Sequence, residues 1–180
     1  MRVISGKYRG LKIKGFNQEG TRPTMDRVKE SVFGMIQSKI KDSIVLDLFA
    51  GSGSLGIEAL SNGSQSCYFV ESNKSMFSVL KDNLISLKIK EDYHLINRDY
   101  KIALKDFNQN NLKFDLIFLD PPYDKHLIND TLKDIVNYNL LAKNGQVICE
   151  YVDELINNEN YKIIKDKKYG NKKIKIIERN

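Results

Sequence analysis

A nearly continuous apolar run leads directly into a glycine-rich loop in the first third of the chain. Residues 44–49 read Ile-Val-Leu-Asp-Leu-Phe, and residues 51–56 read Gly-Ser-Gly-Ser-Leu-Gly, which matches the pattern G-x-G-x-x-G. Such a run is typical of a strand buried on both faces of a parallel sheet. Glycines let the backbone turn sharply and approach a ligand closely. The apolar run followed by the glycine-rich loop predicts either a site for an adenosine-containing ligand or, alternatively, only a tight turn between a strand and a helix.

Further apolar runs alternate with helical patterns along the rest of the chain. After the first strand, four more are predicted at residues 66–71, 93–97, 116–119 and 146–150. Residues 161–167 and 172–178 flank Tyr169-Gly170-Asn171 and are predicted to form a hairpin. This alternation predicts an α/β fold with a parallel sheet that is covered by helices on both faces.

Glycine or acidic residues follow each of the first four predicted strands. In chain order they are Gly51–Gly53, Glu71, Asp99 and Asp120. Ligands of open parallel sheets bind beyond the carboxyl ends of the strands, so these residues are expected at one edge. Glu71 lies 20 residues after Gly51, a position from which an acid can accept hydrogen bonds from both hydroxyls of a ribose.

Two further acidic residues have more than one interpretation. Asp99 either reaches an adenine amino group or is an exposed acid in a turn. Asp47 lies inside the first apolar run, where a carboxylate needs a hydrogen-bonded role. We expect it either to fasten the glycine loop or to face a cation.

The loop after the fourth predicted strand reads Asp120-Pro121-Pro122-Tyr123 and is the most informative stretch. Two prolines fix the backbone and supply carbonyl acceptors without N–H donors. The Asp120 carboxylate and the Pro121 carbonyl can each accept a hydrogen from an exocyclic amine, and Tyr123 can stack on its ring. Such acceptors favour a pyramidal nitrogen and stabilise the positive charge that develops as it is alkylated. The alternative is an ordinary proline turn.

Positive charge is concentrated at the start of the chain. Residues 1–41 hold ten Lys and Arg against three acidic residues, whereas the chain as a whole has a formal net charge of +6. We predict a basic hairpin at residues 2–14 and a helix capped by Thr24, joined as an extension (1–41) to a catalytic domain (42–180). A polyanionic partner is the functional interpretation, and a solvated basic surface is the alternative. The candidate phosphate contacts for such a partner are Arg2, Lys7, Arg9, Arg22, Thr24 and Arg27.

The same sequence argues against several other classes of protein. No apolar segment approaches the length of a membrane span, and the N-terminus lacks the apolar stretch of a signal peptide. Cys67 and Cys149 are far apart and are expected in the core, so neither a disulfide scaffold nor a cysteine zinc site is expected. His94 and His126 are isolated from any triad or metal set. We expect a cytoplasmic protein without a metal.

These motifs together resemble a known family. Residues 47–56 combined with Asp120-Pro121-Pro122-Tyr123 resemble the S-adenosylmethionine-dependent amino methyltransferases. Residues 2–10 and 21–30 are similar to those of the bacterial family that methylates the N2 amino group of one guanine in 16S ribosomal RNA. The resemblance covers nearly the whole chain, with one departure at Ser54, where relatives usually carry alanine.

The resemblance implies a fold, a cofactor and a partner. The fold is a Rossmann-like class I methyltransferase with a seven-stranded, mostly parallel sheet, an antiparallel last strand and a small N-terminal hairpin and helix. Asp120 to Tyr123 would be the catalytic loop, and the RNA would be presented by an assembled or assembling small ribosomal subunit. S-adenosylmethionine, with S-adenosylhomocysteine as product, would be bound by Asp47, Phe49, Gly51, Ser52, Gly53, Glu71 and Asp99.

Three other functions fit part of the sequence. The same loop could serve transfer to a DNA adenine or cytosine, or to a protein glutamine amide. The glycine pattern with Glu71 could instead mark a nicotinamide-dependent oxidoreductase, although the proline loop would then go unexplained. A non-enzymatic RNA-binding or assembly factor is the remaining alternative.

Overall fold

Seven strands form one mixed sheet in the computed structural model, which describes residues 1–15, 23–122, 127–153, 156 and 159–180, without the side chains of 23–25. The strands are β1 (Ile44–Asp47), β2 (Ser66–Val70), β3 (Asp92–Ile96), β4 (Phe114–Leu119), β5 (Leu141–Tyr151), β6 (Tyr161–Tyr169) and β7 (Lys172–Arg179). Their spatial order is β3-β2-β1-β4-β5-β7-β6. Strands β1 to β5 are mutually parallel, while β7 runs antiparallel to both β5 and β6. The predicted sheet, including its antiparallel last strand, is confirmed.

The order of the strands reverses between β1 and β4. The chain first proceeds outward from β1 through β2 to β3, and then returns to build the other half of the sheet from β4. Neighbouring strand ends separate at such a switch point, which opens a crevice at the carboxyl edge. The glycine loop after β1 and the proline loop after β4 lie on the two sides of this crevice.

Five helices connect the strands. They are α1 (Pro23–Ile40), α2 (Ser54–Ser61), α3 (Lys74–Ser86), α4 (Tyr100–Gln109) and α5 (Ile128–Asn137). Helix α4 was not predicted from the sequence. Helix α1 begins one residue before Thr24, so the prediction of Thr24 as its cap is wrong: this residue already lies in the first turn.

Two buried layers sandwich the sheet. The first face of the sheet, which carries Phe69 and Phe118, packs against α1, α2 and α3. The second face, which carries Leu119 and Cys149, packs against α4 and α5. Burial of these aliphatic and aromatic side chains is the main favourable term in folding. Both cysteines are fully buried, as predicted.

The N-terminal segment packs into the first of these layers. Val3, Tyr8 and Ile13 are buried there with side chains from α1 and α2. The predicted hairpin is reduced to one antiparallel bridge between Arg2 and Lys12, because turns occupy the residues between them. The division of the chain at residue 41 stays a prediction.

Candidate active site

A cavity of about 820 Å³ opens at the carboxyl edge of the parallel strands. Its lining includes Asp99, Glu71 and Gly51, which follow β3, β2 and β1, and Asp120, which follows β4. Parallel strands lie about 4.8 Å apart, so these groups form a row in the order of the strands. The glycine loop and the proline loop, which are 69 residues apart along the chain, therefore line one cavity.

The glycine loop leaves space on the side that faces this cavity. Gly51 has φ +53°, and a Cβ placed there would meet only the Met76 methyl group, at 3.8 Å. At Gly53, by contrast, φ is +82° and a Cβ would lie 2.3 Å from Leu80 Cδ1. A Cβ on Gly56 would lie 2.2 Å from Phe69 Cε1. The first glycine thus gives a ligand access to the backbone. Gly53 lets α3 approach the loop closely, and Gly56 lets α2 pack closely on the sheet.

Asp47 fastens this loop. Its side chain is 2% exposed, and its Oδ2 accepts a hydrogen bond of 2.9 Å from the backbone N–H of Gly56. Burial raises the pKa of Asp47 to about 7, and Glu71 adds to the effect, while the hydrogen bond from Gly56 opposes it. Of the two roles expected from the sequence, the structure supports the fastening of the loop.

Glu71 and Asn73 shape the wall beside the loop. The Glu71 carboxylate accepts hydrogen bonds from Gly51 N–H at 2.8 Å and from Asn73 N–H at 2.7 Å. The Asn73 side chain in turn caps α3 by accepting from Ser75 N–H and Met76 N–H. These bonds hold Glu71 at the end of β2, where it lines the cavity.

Asp99 caps α4 and also lines the cavity. Its carboxylate accepts a hydrogen bond of 2.9 Å from Lys101 N–H, the usual role of an aspartate at the start of a helix. Next to it, the rings of Phe49 and Tyr100 pack with centroids 5.2 Å apart. Both rings line the cavity. From the sequence, Phe49 is expected in the cofactor site, and Tyr100 is expected either to line that site or to pack in the core; Tyr100 begins α4, a helix that the sequence did not predict.

Asp120, Pro121 and Pro122 form the opposite wall of the cavity. The end of β4 is held against the glycine side by a hydrogen bond of 3.2 Å from Leu48 N–H to the Phe118 carbonyl. Pro121 is buried, and Asp120 is half-buried. Tyr123 lies outside the described residues, so its proposed stacking role stays a prediction.

A buried ion pair that sequence analysis did not find supports the cavity from the side of α1. Lys29 Nζ lies 3.0 Å from Glu58 Oε2, with side chains 7% and 0% exposed. Lys29 also donates to the Arg2 carbonyl at 2.7 Å and to Ser54 Oγ at 3.1 Å. The Glu58 carboxylate further accepts from the backbone N–H groups of Ile4 and Ser5. One carboxylate thus joins α1, α2 and the N-terminal segment.

The candidate RNA contacts differ in their surroundings. Arg2 is 65% exposed and pairs with Asp26 at 3.4 Å. Lys7 is 55% exposed and pairs with Glu91 at 2.6 Å; this pair, together with the hydrogen bond that Lys7 donates to Tyr8, raises the pKa of Lys7. Arg9 and Arg27 are exposed. Arg22 and the side chain of Thr24 lie outside the described residues.

Acidic side chains outnumber basic ones in the cavity lining, which includes six aspartates and glutamates and four lysines and arginines. Such a balance favours a ligand with positive charge over a free anion. The cavity is also large enough for a nucleoside and a second base, since ligand pockets commonly span about 300–1,000 Å³. The residues present therefore fit an adenosine-containing sulfonium.

The remaining features of the described residues concern metal binding, membrane spanning and the histidines. Among them, no cluster of three or more histidine, cysteine or acidic side chains suits a metal ion. No helix in the described ranges is long and apolar enough to cross a membrane. His94 stacks on Tyr68 with ring centroids 4.0 Å apart, on the second face of the sheet. His126 lies outside the described residues.

Comparisons with known proteins place these observations in a family. The family model described as Conserved hypothetical protein 95 matches residues 1–178. A Haemophilus influenzae protein named Ribosomal RNA small subunit methyltransferase D is 40% identical over 173 residues, which cover 94% of this chain and 89% of that protein. The Escherichia coli K12 protein of the same name is 34% identical, with 88% and 76% covered.

A solved structure extends the similarity to the whole fold. An Escherichia coli protein, provisionally named methyltransferase yhhF, superimposes with a TM-score of 0.86 at 29% identity, covering 100% of this chain and 98% of that one. A structure named SMU.776, described as a methyltransferase and determined in complex with SAH, shares the fold with a TM-score of 0.72. This structure is 13% identical in sequence, and 50% of its chain is covered, so the likeness concerns the fold alone.

Proposed function

Because the chain belongs to the family described as Conserved hypothetical protein 95, we propose that it methylates ribosomal RNA of the small subunit, with S-adenosylmethionine as the methyl donor. We further propose that the acceptor is the exocyclic N2 amino group of a guanine in 16S ribosomal RNA. Relatives that span most of this chain carry the name of a small-subunit ribosomal RNA methyltransferase, and the site residues fit the chemistry.

A single observation carries the proposal: the glycine loop and the Asp120–Pro122 loop line the same cavity from adjacent strands. A methyl donor beside Gly51 and an amine beside Asp120 would be neighbours, because β1 and β4 are paired. Holding two reactants in line removes much of the entropic barrier of a bimolecular reaction. The cavity edge is therefore suited to group transfer between two bound molecules.

The cofactor would be held by groups that follow the first three strands. The open backbone at Gly51 and Ser52 would receive its amino acid part, and Glu71 would accept hydrogen bonds from its ribose hydroxyls. Asp99 and Phe49 would lie near its base. Asp47 and Gly53 would act indirectly, since both hold the loop in shape. The cofactor supplies a methyl group activated by a positively charged sulfur.

The acceptor amine would be activated by the loop after β4. The amine of a guanine is a poor nucleophile because its lone pair is delocalised into the ring. We expect the Asp120 carboxylate and the Pro121 carbonyl to accept its two hydrogens, which favours a pyramidal nitrogen. As the new N–C bond forms and the S–C bond breaks, the nitrogen becomes positive. One proton then passes from this nitrogen to the Asp120 carboxylate, and from Asp120 to water. Tyr123 is proposed to stack on the base.

The RNA would be held by the basic N-terminal part of the chain. We expect Arg2, Lys7, Arg9, Arg22 and Arg27, assisted by Thr24, to contact phosphates, which fixes orientation without reading sequence. Selection of one guanine would then depend on RNA shape and on a base that is splayed out of its stack. An assembled or assembling small subunit would present such a shape, and a cytoplasmic location follows from this substrate.

Transfer of labelled methyl groups to undermethylated small ribosomal subunits tests the proposal. The wild-type protein is expected to label one guanine of 16S ribosomal RNA at N2, and Asp120→Asn is expected to lower kcat by about 10²- to 10³-fold, as for the loss of one transition-state contact. Asp130→Asn is the matched control, because Asp130 is exposed on α5 and pairs only with Lys133 among the described ion pairs. Absence of label from a folded wild-type protein, or label on another base, would refute it.

Ligand-induced stabilisation distinguishes the oxidoreductase alternative. We expect S-adenosylhomocysteine to raise the melting temperature, since a ligand that binds only the folded state stabilises it by mass action. Stabilisation by NAD alone would instead favour an oxidoreductase. An RNA-binding factor without activity would bind small subunits equally well before and after Asp120→Asn, and would transfer no label in either case.

A further inference from the structure

Two charged residues that no motif marked continue the row of polar groups beyond Asp120. Glu150 lies near the end of β5, and Lys172 begins β7. Both line the same cavity as Asp120. The sheet order β4-β5-β7 therefore places an aspartate, a glutamate and a lysine side by side along the acceptor half of the cavity.

The register of the sheet puts all three side chains on one face. Leu119 pairs with Cys149, and both are buried in the second layer, so the next residues, Asp120 and Glu150, point to the first. Glu150 pairs with Ile174, which is buried in the first layer. Lys172 is two residues from Ile174 and shares its face. Val28 and Val32 of α1 also line the cavity on that side.

Glu150 and Lys172 are held in place by each other. The Lys172 ammonium donates to the Glu150 carboxylate, and the side chains are only 22% and 13% exposed. An ammonium has three donors and a carboxylate about four acceptor sites, so each of these groups can contact several partners at once. The pair presents an acceptor beside Asp120 and a donor beyond it.

We propose that Glu150 and Lys172 determine the specificity for guanine by reading its Watson–Crick edge, an inference that rests on the proposed function. That edge carries the N2 amine, then N1–H, then the O6 carbonyl: donor, donor, acceptor. Asp120, Glu150 and Lys172 offer the complementary order of acceptor, acceptor, donor. With the amine at Asp120, the N1–H donates to Glu150, and O6 accepts from Lys172.

The same pair disfavours other planar amines. When adenine presents its N6 amine to Asp120, the neighbouring N1 is a lone pair and faces the Glu150 carboxylate. Cytosine presents its N4 amine beside N3, which is also a lone pair. The ring nitrogen of either base would then meet the Glu150 carboxylate, which is also an acceptor, and would be enclosed without a donor. Such mismatches discriminate strongly between substrates. A glutamine amide lacks a ring edge that would engage the pair at all.

Base replacement in the RNA tests this role. 2-Aminopurine keeps the amine of guanine but has a lone pair at N1 and no O6. The substrates are two otherwise identical small-subunit RNAs, one with the guanine that the wild type methylates and one with 2-aminopurine there. The proteins are the wild type, Glu150→Gln, Lys172→Met and the control Lys173→Met, whose ammonium lies over the Tyr151 ring on the other face.

We expect Glu150→Gln and Lys172→Met each to lower kcat/KM on guanine by about 10- to 100-fold, with unchanged affinity for S-adenosylhomocysteine. Glu150→Gln should also raise the ratio of 2-aminopurine to guanine methylation at least tenfold, because its amide can donate to N1. Lys172→Met should lower transfer to 2-aminopurine less than transfer to guanine, because 2-aminopurine has no O6 for Lys172 to contact.

Several outcomes would overturn the role. An unaltered ratio in Glu150→Gln, or wild-type rates on guanine in both variants, would do so. The ratio compares two substrates of one protein, so it is independent of losses in folding. If the wild type itself transferred no methyl group to guanine, the proposed function would fail instead, which is a different result.

Discussion

The buried pair of Lys29 and Glu58 gives the sharpest prediction about how the cavity is supported. Replacement of Lys29 by methionine keeps the length of the side chain but leaves the Glu58 carboxylate, which is 0% exposed, without its cation. Loss of one partner from a buried pair commonly costs about 3–5 kcal/mol. Glu58 still accepts hydrogen bonds from Ile4 and Ser5, so we expect the lower end, about 3 kcal/mol.

Chemical denaturation and thermal unfolding measure this loss. For a chain of this size, 1 kcal/mol shifts the melting temperature by about 2–4 °C, so Lys29→Met should lower it by about 6–12 °C. Lys41→Met is the control, because Lys41 is exposed one residue beyond α1 and should change stability by less than about 0.5 kcal/mol. The double variant Lys29→Met/Glu58→Gln removes both charges. Its free energy of unfolding should exceed that of Lys29→Met by about 1 kcal/mol or more.

Two results would contradict this role of the Lys29–Glu58 pair. A loss below about 1 kcal/mol in Lys29→Met would mean that the carboxylate does not need its cation. Glu58→Gln is also measured alone, and strict additivity of Lys29→Met and Glu58→Gln would mean that the pair does not couple α1 to α2.

Three further predictions concern the loop and the core. Gly56→Ala should destabilise the protein by about 1–3 kcal/mol in urea unfolding, because the new methyl group would overlap the Phe69 ring; unchanged stability would contradict the packing. The pKa of Asp47 is raised by burial to about 7, so the stability this group contributes at low pH is lost as pH rises through 7. Between pH 5 and pH 8, the free energy of unfolding measured in urea should therefore decrease less for Asp47→Asn than for the wild type. Equal decreases in the two proteins would argue against the raised pKa of Asp47. Cys67 and Cys149 are buried, and burial raises the pKa of Cys67 well above its usual range, so iodoacetamide should label both only in denaturant, as judged by mass; rapid labelling of the native protein would contradict this.

The sheet could be predicted from the sequence because its first five strands contain short apolar runs, and its last two flank the turn at Tyr169-Gly170-Asn171. All seven strands lie where these runs predict them, with ends that differ by a few residues. Helix α4 could not be identified so easily. Only Ala103, Leu104 and Phe107 are buried in it, while Ile102 is 50% exposed, which weakens its apolar stripe.

The parts of the site that depend on local sequence could likewise be predicted, whereas those that depend on contacts between distant residues could not. The glycine loop and Asp120 follow apolar runs directly, so their placement at the sheet edge follows from one rule about parallel sheets. Lys29 and Glu58, in contrast, lie on different helices, and Glu150 and Lys172 lie on strands joined through β6. Their pairing depends on packing and on the antiparallel return of β7, and no spacing in the sequence encodes either.

The attachment of the N-terminal segment to α2 has a consequence for biosynthesis. Lys7 N–H donates to the Ser61 carbonyl at 2.8 Å, and the Ser61 hydroxyl donates to the Ser5 carbonyl at 2.6 Å. Ser5 and Lys7 are synthesised before α2 and thus wait for a docking surface made more than fifty positions later, although domains tend to fold in the order of their synthesis. Until α2 emerges, the positively charged segment is tethered and undocked beside the ribosome, itself built largely of polyanion.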